Sequence, residues 1–196
     1  MLFVMTNARV YRRLQTEVDN YVKTSQLPQN QIVPSKNAET LPYLKAVIKE
    51  GLRIWPPATG LAPKKTPPEG DTINGIFVPG GTDIGYCAWG IHRNRDVFGS
   101  DADWFRPERW LEAKGEKLAA MERTIDLMFG HGKYQCLGQN IAWMELNKMF
   151  FELIRNFEWS IMDPTNPWKS GNVALWLQKD LWVRVSEREV NNTVLV

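Results

Sequence analysis

Two cysteines and two histidines are all that the 196 residues contain. So sparse a set of thiols, Cys87 and Cys136, excludes a disulfide scaffold. His92 and His131 offer too few nitrogen ligands for a rich metal cluster. Charge of one sign is lacking too: 24 basic residues face 22 acidic ones, a net charge of +2. A protein that binds nucleic acid by releasing counterions carries a concentrated basic stripe, so no nucleic-acid partner is expected. No apolar run approaches the roughly 18 residues needed to cross a bilayer. The apolar start, Met1 to Met5, breaks at Thr6-Asn7-Ala8-Arg9. It is shorter than the core of a signal peptide, no charged segment precedes it, and it reads as the tail of something buried. Internal repeats are absent. What is plentiful is ordinary globular material, 43% hydrophobic and 23% charged, which excludes disorder for most of the chain. Nine tryptophans point to aromatic-lined packing. The length suits one domain or two small ones.

Periodicity predicts a helix over 8–23, with Val10, Leu14 and Val18 on one face and Asn7 as its N-cap. Thr24 to Lys36 is polar, carries two prolines and reads as a loop. A second helix is expected from about Thr40, with Pro42 in its first turn, ending before Pro56-Pro57. Short β-type runs follow. Thr72-Ile73 and Gly75 to Val78, then Pro79-Gly80-Gly81 and Thr82 to Tyr86, read as a hairpin with a glycine turn. Residues 96–118 read as irregular. A long helix is expected over 137–156, with Ala142, Leu146, Met149, Phe150, Leu153 and Phe157 as its apolar stripe. Glu145, Lys148, Glu152 and Arg155 would form its wet face. Val173 to Val185 alternates and turns at Lys179-Asp180, suggesting a last hairpin, and residues 191–196 read as frayed. The fold class expected is mainly α with small β-hairpins, α+β.

The chemistry concentrates in Phe129 to Gly138, where three glycines surround Cys136 just ahead of the long helix. Glycine permits positive φ and lets the backbone approach a flat ligand closely. A cysteine at a helix N-terminus feels free N–H groups and the positive end of the dipole, which favour thiolate, the form that ligates metal. One thiolate does not build a zinc site, but it suits an axial ligand to haem iron, whose porphyrin brings four donors. Most lone cysteines are small, inert and buried, and Cys87 is expected to be one, in a strand. A nucleophilic role for Cys136 is poor, because no oriented base accompanies it. His92 is expected to pack or hydrogen-bond, and His131 to be only part of the loop.

These ten residues resemble F-x-x-G-x-x-x-C-x-G, the haem-binding signature of the cytochrome P-450 superfamily, and Ala142 continues it. The resemblance implies haem b (iron protoporphyrin IX), with Cys136 as the axial iron ligand. Phe129 would lie beside the sulfur, Gly130 and Gly132 would belong to the tight loop, and Gly138 would permit close haem contact. Glu50-Gly51-Leu52-Arg53 matches the family's E-x-x-R. On the helical wheel Glu50 lies roughly 100° from Lys49 on the wet face, between Ala46 and Ile54, so its carboxylate needs buried partners. Phe105 to Trp110 resembles the family's P-E-R-F segment, which implies a structural triad of Glu50, Arg53 and Arg109. Asn7 to Gln15 resembles the start of the helix after the oxygen-binding helix, and Pro79 to Thr82 and His92-Arg93 are similar to later landmarks. The wording is most similar to fungal members of the pisatin demethylase type. Two positions depart. Tyr134 stands where many members place an arginine or histidine on a haem propionate, with Lys64 as a compensating candidate. Trp110 replaces a phenylalanine, which reads as a conservative packing change.

The resemblance implies the C-terminal portion of the cytochrome P-450 fold, residues 1–196 as a single partial domain, without the family's N-terminal part, membrane anchor or oxygen-activating acid–alcohol pair. The implied activity is monooxygenation of a small organic substrate, with electrons from an NADPH-cytochrome reductase-type donor, at the cytoplasmic side of the endoplasmic reticulum. The alternative is a non-catalytic truncated remnant that binds haem weakly or not at all. The 196 residues alone are expected to be inactive, with helix 137–156 and the Phe3-Val4-Met5 stub lacking partners for their apolar faces.

Overall fold

The computed structural model describes residues 1–59 and 63–188, and the frayed ending expected over 191–196 lies outside them. Helix α1 (Leu2–Met5) leads into α2 (Ala8–Ser25), whose N-cap is Asn7, accepting from the Val10 N–H at 3.3 Å. The short α3 (Ser35–Ala38) precedes α4 (Pro42–Ile54). Helix α4 starts on a proline that owes no hydrogen bond there, and its N-terminus is capped from another helix. Glu17 of α2 accepts from the N–H groups of Tyr43 and Leu44, both at 2.8 Å. Val10, Leu14 and Val18 meet Leu44, Val47 and Ile48 in one core, which Phe151 and Ile154 complete. Val4 is buried in that core and Phe3 stacks on Phe105 with ring centroids 5.3 Å apart, so the apolar stub does find partners.

Four two-stranded antiparallel sheets follow among the described residues, and they correct the expected hairpins. Strands β1 (Lys64–Lys65), β2 (Asp71–Ile73), β3 (Ile76–Val78) and β4 (Asp83–Ile84) pair as β2 with β3 and β1 with β4. The hairpin turn is Asn74-Gly75, both at positive φ, as a type I′ turn requires. Pro79-Gly80-Gly81 is the crossing between sheets, not the turn. A Cβ on Gly80 would meet the Pro68 carbonyl oxygen at 2.1 Å, so only glycine passes there.

Helices α5 (Ala88–Ile91), α6 (Arg95–Phe98) and α7 (Arg109–Glu112) are single turns, followed by α8 (Gly115–Asp126). The last of these begins inside the stretch expected to be irregular. Met121 and Ile125, one turn apart on α8, bury against Ala46, Phe98 and Trp110 in a second core. Cys87 is not buried in a strand: it is exposed, caps α5 and accepts from the Gly90 N–H through Sγ at 3.4 Å.

Helix α9 (Gln139–Asn156) starts two residues later than expected, and its stripe is rotated. Arg155 is 2% exposed, while Met149 is 59% exposed. The Arg155 guanidinium donates to the carbonyls of Leu27, Pro28 and Gln31, tying down the proline-bearing loop. Beyond α9, strands β5 (Phe157–Ile161), β6 (Lys169–Asn172), β7 (Trp176–Lys179) and β8 (Val183–Glu187) pair as β5 with β8 and β6 with β7. The last tight turn is therefore Val173 to Leu175, with Ala174 at φ +70°, and Lys179-Asp180 leads to a different sheet. Helices and small hairpins give the α+β class expected. No helix among the described residues is long and apolar enough to cross a membrane.

Candidate functional site

The segment before α9 is two tight turns, Leu127–Phe129 and Gly132–Tyr134, joined at Gly130. Gly130 has φ +76°, and a Cβ there would meet the Tyr134 carbonyl oxygen at 2.5 Å. Gly132 has φ +58° with open space around it, so its requirement is conformational. The turns bring the Cys136 N–H within 2.6 Å of the Phe129 carbonyl oxygen, closing the loop on itself. Cys136 thus sits just ahead of an 18-residue helix, and it is exposed. Leu137 beside it is fully exposed, and Ile141 one turn on is 56% exposed. A cysteine just ahead of a long helix, flanked by uncovered apolar side chains, has the chemistry to ligate a metal carried by an apolar ligand.

Gly138 is different from the other two. Its φ of −86° suits any residue, and a Cβ there would touch only Cys136 Sγ, at an ordinary 3.8 Å. Nothing among the described residues demands glycine at 138. Phe129 packs on Trp143 of α9, centroids 5.9 Å apart, which fixes the loop against the helix. Strand β1 carries Lys64 to the same place, with Nζ 4.8 Å from the Tyr134 ring centroid, and Lys133 stands 5.7 Å from it. His131 is exposed on the loop.

No three His, Cys, Asp or Glu side chains gather to hold a metal among the described residues. The donor set at Cys136 is one sulfur, which fits a metal that brings its other ligands in a macrocycle. The unclaimed Gly138, the exposed Leu137 and Ile141 and the Lys64–Tyr134 pair at the rim suit a flat apolar ring with acidic edges.

Glu50, Arg53 and Arg109 are brought together and are 0%, 0% and 3% exposed. Arg53 meets Glu50 side-on through Nε and Nη2 at 2.9 and 2.8 Å, and Arg109 Nε adds a bond at 3.0 Å. The rest of the Arg53 fork goes to the carbonyls of His92, Ala102 and Trp104. That of Arg109 goes to Phe98, Asp101 and Trp104. Each guanidinium therefore uses all five donors. Two further groups reach Glu50 that the sequence did not disclose: the Arg106 backbone N–H at 2.8 Å and Trp110 Nε1 at 2.9 Å. Trp110 is thus more than a packing substitute.

Glu108 was missed entirely. It accepts from Arg9, from Arg13 at 3.4 Å and from the Tyr43 hydroxyl at 2.8 Å. Burial pushes its carboxyl up, but the hydrogen bonds from Arg9 and Tyr43 outweigh this and bring it down to about 2. The available signal was the pair of arginines one turn apart on α2. His92 is fully buried, with Nε2 at 3.1 Å from the Thr124 carbonyl oxygen. Burial pushes it down to about 4, so it is neutral near pH 7 and packs as expected. The tryptophans also converge: Trp55 lies 4.4 Å from Trp176, 5.3 Å from Trp168 and 5.5 Å from Trp89, centroid to centroid.

Comparison with known proteins gives a consistent result. The cytochrome P-450 family profile matches residues 1–181. A cytochrome P-450 monooxygenase, ABA1, of Pyricularia oryzae is 41% identical over 96% of this chain and 36% of its own length. A monooxygenase of the same name in Botryotinia fuckeliana is 38% identical over 96% of this chain and 37% of its own. A pisatin demethylase of Fusarium vanettenii is 36% identical over 91% of this chain and 33% of its own. The expected likeness to fungal members, the pisatin demethylase type included, is therefore shown. The chain spans about a third of the length of the relatives it matches.

Proposed function

The chain belongs to the cytochrome P-450 family of haem-dependent monooxygenases, and from that premise we propose that it forms the cysteine side of a haem b site, in which the Cys136 sulfur would hold the iron. The observation that carries this reading is the exposed Cys136 sulfur on a closed glycine loop ahead of α9, beside an unclaimed Gly138. Haem bound there supplies the redox chemistry by which monooxygenases insert one atom of dioxygen into an organic substrate.

The chain's own residues have separable tasks. Gly130 and Gly132 set the loop so that the sulfur stands clear of the backbone. The α9 N-terminus turns the positive end of its dipole toward the sulfur. Gly138 leaves room for the ring, and Leu137 and Ile141 give it apolar contact. Phe129, braced by Trp143, shields the sulfur. Lys64 and the Tyr134 hydroxyl hold the propionates in place of the arginine or histidine of other members. Glu50, Arg53 and Arg109 position the segment behind the loop and touch no reacting atom. Electrons come from an NADPH-cytochrome reductase-type donor at the cytoplasmic face of the endoplasmic reticulum, and the substrate is a small organic molecule.

The test is a haem titration of the chain, followed by reduction, carbon monoxide and the Soret band. The expected result is a red-shifted thiolate-type band that Cys87→Ser keeps and Cys136→Ser loses. The reverse pattern overturns the assignment. The openness of the loop, where His131 to Leu137 are all exposed, favours a second reading, in which haem binds weakly and no turnover follows. Product formation with a reductase and reduced nicotinamide cofactor across a substrate panel would dismiss it.

A further inference from the structure

His92 ends α5 and is fully buried, and its ring makes one hydrogen bond. Nε2 lies 3.1 Å from the Thr124 carbonyl oxygen. A carbonyl only accepts, so Nε2 carries the ring proton. Nδ1 is therefore bare, buried and without a partner. Thr124 belongs to the last turn of α8, where a helix leaves its carbonyls without partners of its own. The imidazole thus ties the end of α8 to the end of α5. The turn Leu127–Phe129, where the cysteine loop begins, follows α8 directly.

The ring is crowded by cations that cannot withdraw. Arg53 of α4 donates through Nη1 to the His92 carbonyl at 2.8 Å, and its other donors are committed to Glu50, Ala102 and Trp104. Arg93, next in the chain, lies 3.3 Å from the Trp89 ring centroid and donates to the Ile54 carbonyl at 2.6 Å. The carboxylates of the surrounding segments are engaged elsewhere. Glu50 is held by Arg53 and Arg109, and Asp103 by Arg93 at 3.9 Å and Arg95 at 3.2 Å. On α8, Glu122 holds Lys49 and Glu116 holds Arg123. Burial pushes the Asp126 carboxyl up, away from the charged form that would receive an imidazolium.

We propose that His92 is an acid-released latch: a proton on Nδ1 detaches the last turn of α8 from His92 and loosens the start of the loop that carries Cys136. That proton would create a buried donor with no acceptor and a third cation beside two fixed guanidiniums. The carbonyl end of α8 favours a cation. Burial outweighs that pull, the two arginines add to burial, and the ring is pushed down to about 4. An exposed imidazole titrates near 6.5. The neutral ring's contribution is therefore whole above about pH 6.5 and is lost as the pH falls toward 4. Both arginines are tied to several partners, whereas the ring is tied to α8 by one bond, so α8 is the element that gives. Met121 anchors the preceding turn in the second core, which confines the release to the end of the helix. The latch goes beyond the haem reading and does not depend on it.

The experiment follows native-state hydrogen exchange in the full chain, without haem, at pH 6 and pH 4.5, corrected for intrinsic rates. The amides read are Leu127, which bonds to the Arg123 carbonyl, and Gly130, which bonds to the Leu127 carbonyl. Their opening constants should rise at least about tenfold on acidification. His92→Gln keeps an amide donor for Thr124 and does not titrate, so its rise should be less than about threefold. Carboxylates titrate alike in both proteins and cancel from the comparison. His131→Gln removes the other imidazole and should keep the parent's rise. If His92→Gln fails to fold, the ring decides: long-range ¹⁵N–¹H spectra of the parent at pH 5.5 should show His92 neutral with its proton on Nε2. An equal rise in His92→Gln, loss of the rise in His131→Gln, or a His92 ring protonated on Nδ1 at pH 5.5 would each overturn the proposal.

Discussion

Around Glu50, both arginine forks direct all their N–H groups at acceptors within the protein, and Glu50, Arg53, Arg109 and Trp110 are all buried. Around Cys136, by contrast, the residues from His131 to Leu137 are all exposed, and the backbone closes only on itself. The first region is complete without a ligand. The second has a shape that the protein's own contacts only partly explain. Burial makes the first region energetically sensitive, because a charge out of water must keep its partner. Openness makes the second tolerant of change for folding and sensitive for binding.

The largest effect should come from breaking the closed region. Glu50→Ala leaves two buried guanidiniums without their shared carboxylate, and Arg53→Ala leaves Glu50 with Arg109 as its only cation. Removing one partner of a buried pair costs about 3–5 kcal/mol. Whole domains are stable by only about 5–15 kcal/mol. Either variant should therefore lose most soluble, folded protein, read as yield and as the urea midpoint by circular dichroism. A midpoint equal to the parent's would remove the distinction between the two regions.

The open loop offers a sharper comparison within itself. Gly130→Ala forces a methyl group against the Tyr134 carbonyl oxygen and holds alanine at positive φ. Backbone strain of that kind costs about 1–3 kcal/mol. Gly138→Ala meets neither penalty in the protein and loses only the preference for glycine over alanine at the α9 N-cap. Thermal melts without haem should therefore fall for Gly130→Ala and stay near the parent for Gly138→Ala. Haem titration should show weaker binding for Gly138→Ala as well. Parent-like haem affinity there would mean that Gly138 makes room for nothing.

In the closed region the burial of Glu50 was legible for a physical reason, whereas Arg109 as its partner came from the resemblance. A carboxylate placed by helical geometry between Ala46 and Ile54 must be buried, and a buried carboxylate must have cations. Helix limits near Pro42 and Pro56 were legible because proline's constraints are local. What failed was nonlocal. Arg155 looked wet because periodicity treats arginine as a surface residue, whereas its fork reaches three carbonyls more than a hundred residues away in sequence. The hairpins failed because Asn74-Gly75 is a tighter turn signal than the more conspicuous Pro79-Gly80-Gly81, and because β5 pairs with β8 across an inserted hairpin. The cysteine loop was legible as a motif. Lys64 was named beside Tyr134 through the resemblance alone, and the placing of its ammonium 4.8 Å from the Tyr134 ring centroid was not legible.

The smallest effect tests how complete the closed region is. Trp110 donates its indole N–H to Glu50 Oε2 at 2.9 Å and is 6% exposed. Its ring also packs edge-on against Phe98, with centroids 6.1 Å apart. Trp110→Phe keeps an aromatic ring and removes the donor. Oε2 still accepts from Arg53 Nε, so the carboxylate is never left bare. A hydrogen bond to a charged group contributes about 1.5–3 kcal/mol, and the remaining donor should hold the loss near the lower end. The urea midpoint should drop measurably, well short of the collapse expected for Glu50→Ala, and haem affinity should not change, because Trp110 lies in the structural cluster. A loss as large as that of Arg53→Ala would mean that the indole is an essential member of the charge cluster. A changed haem affinity at unchanged stability would mean that the two regions are coupled through this side chain.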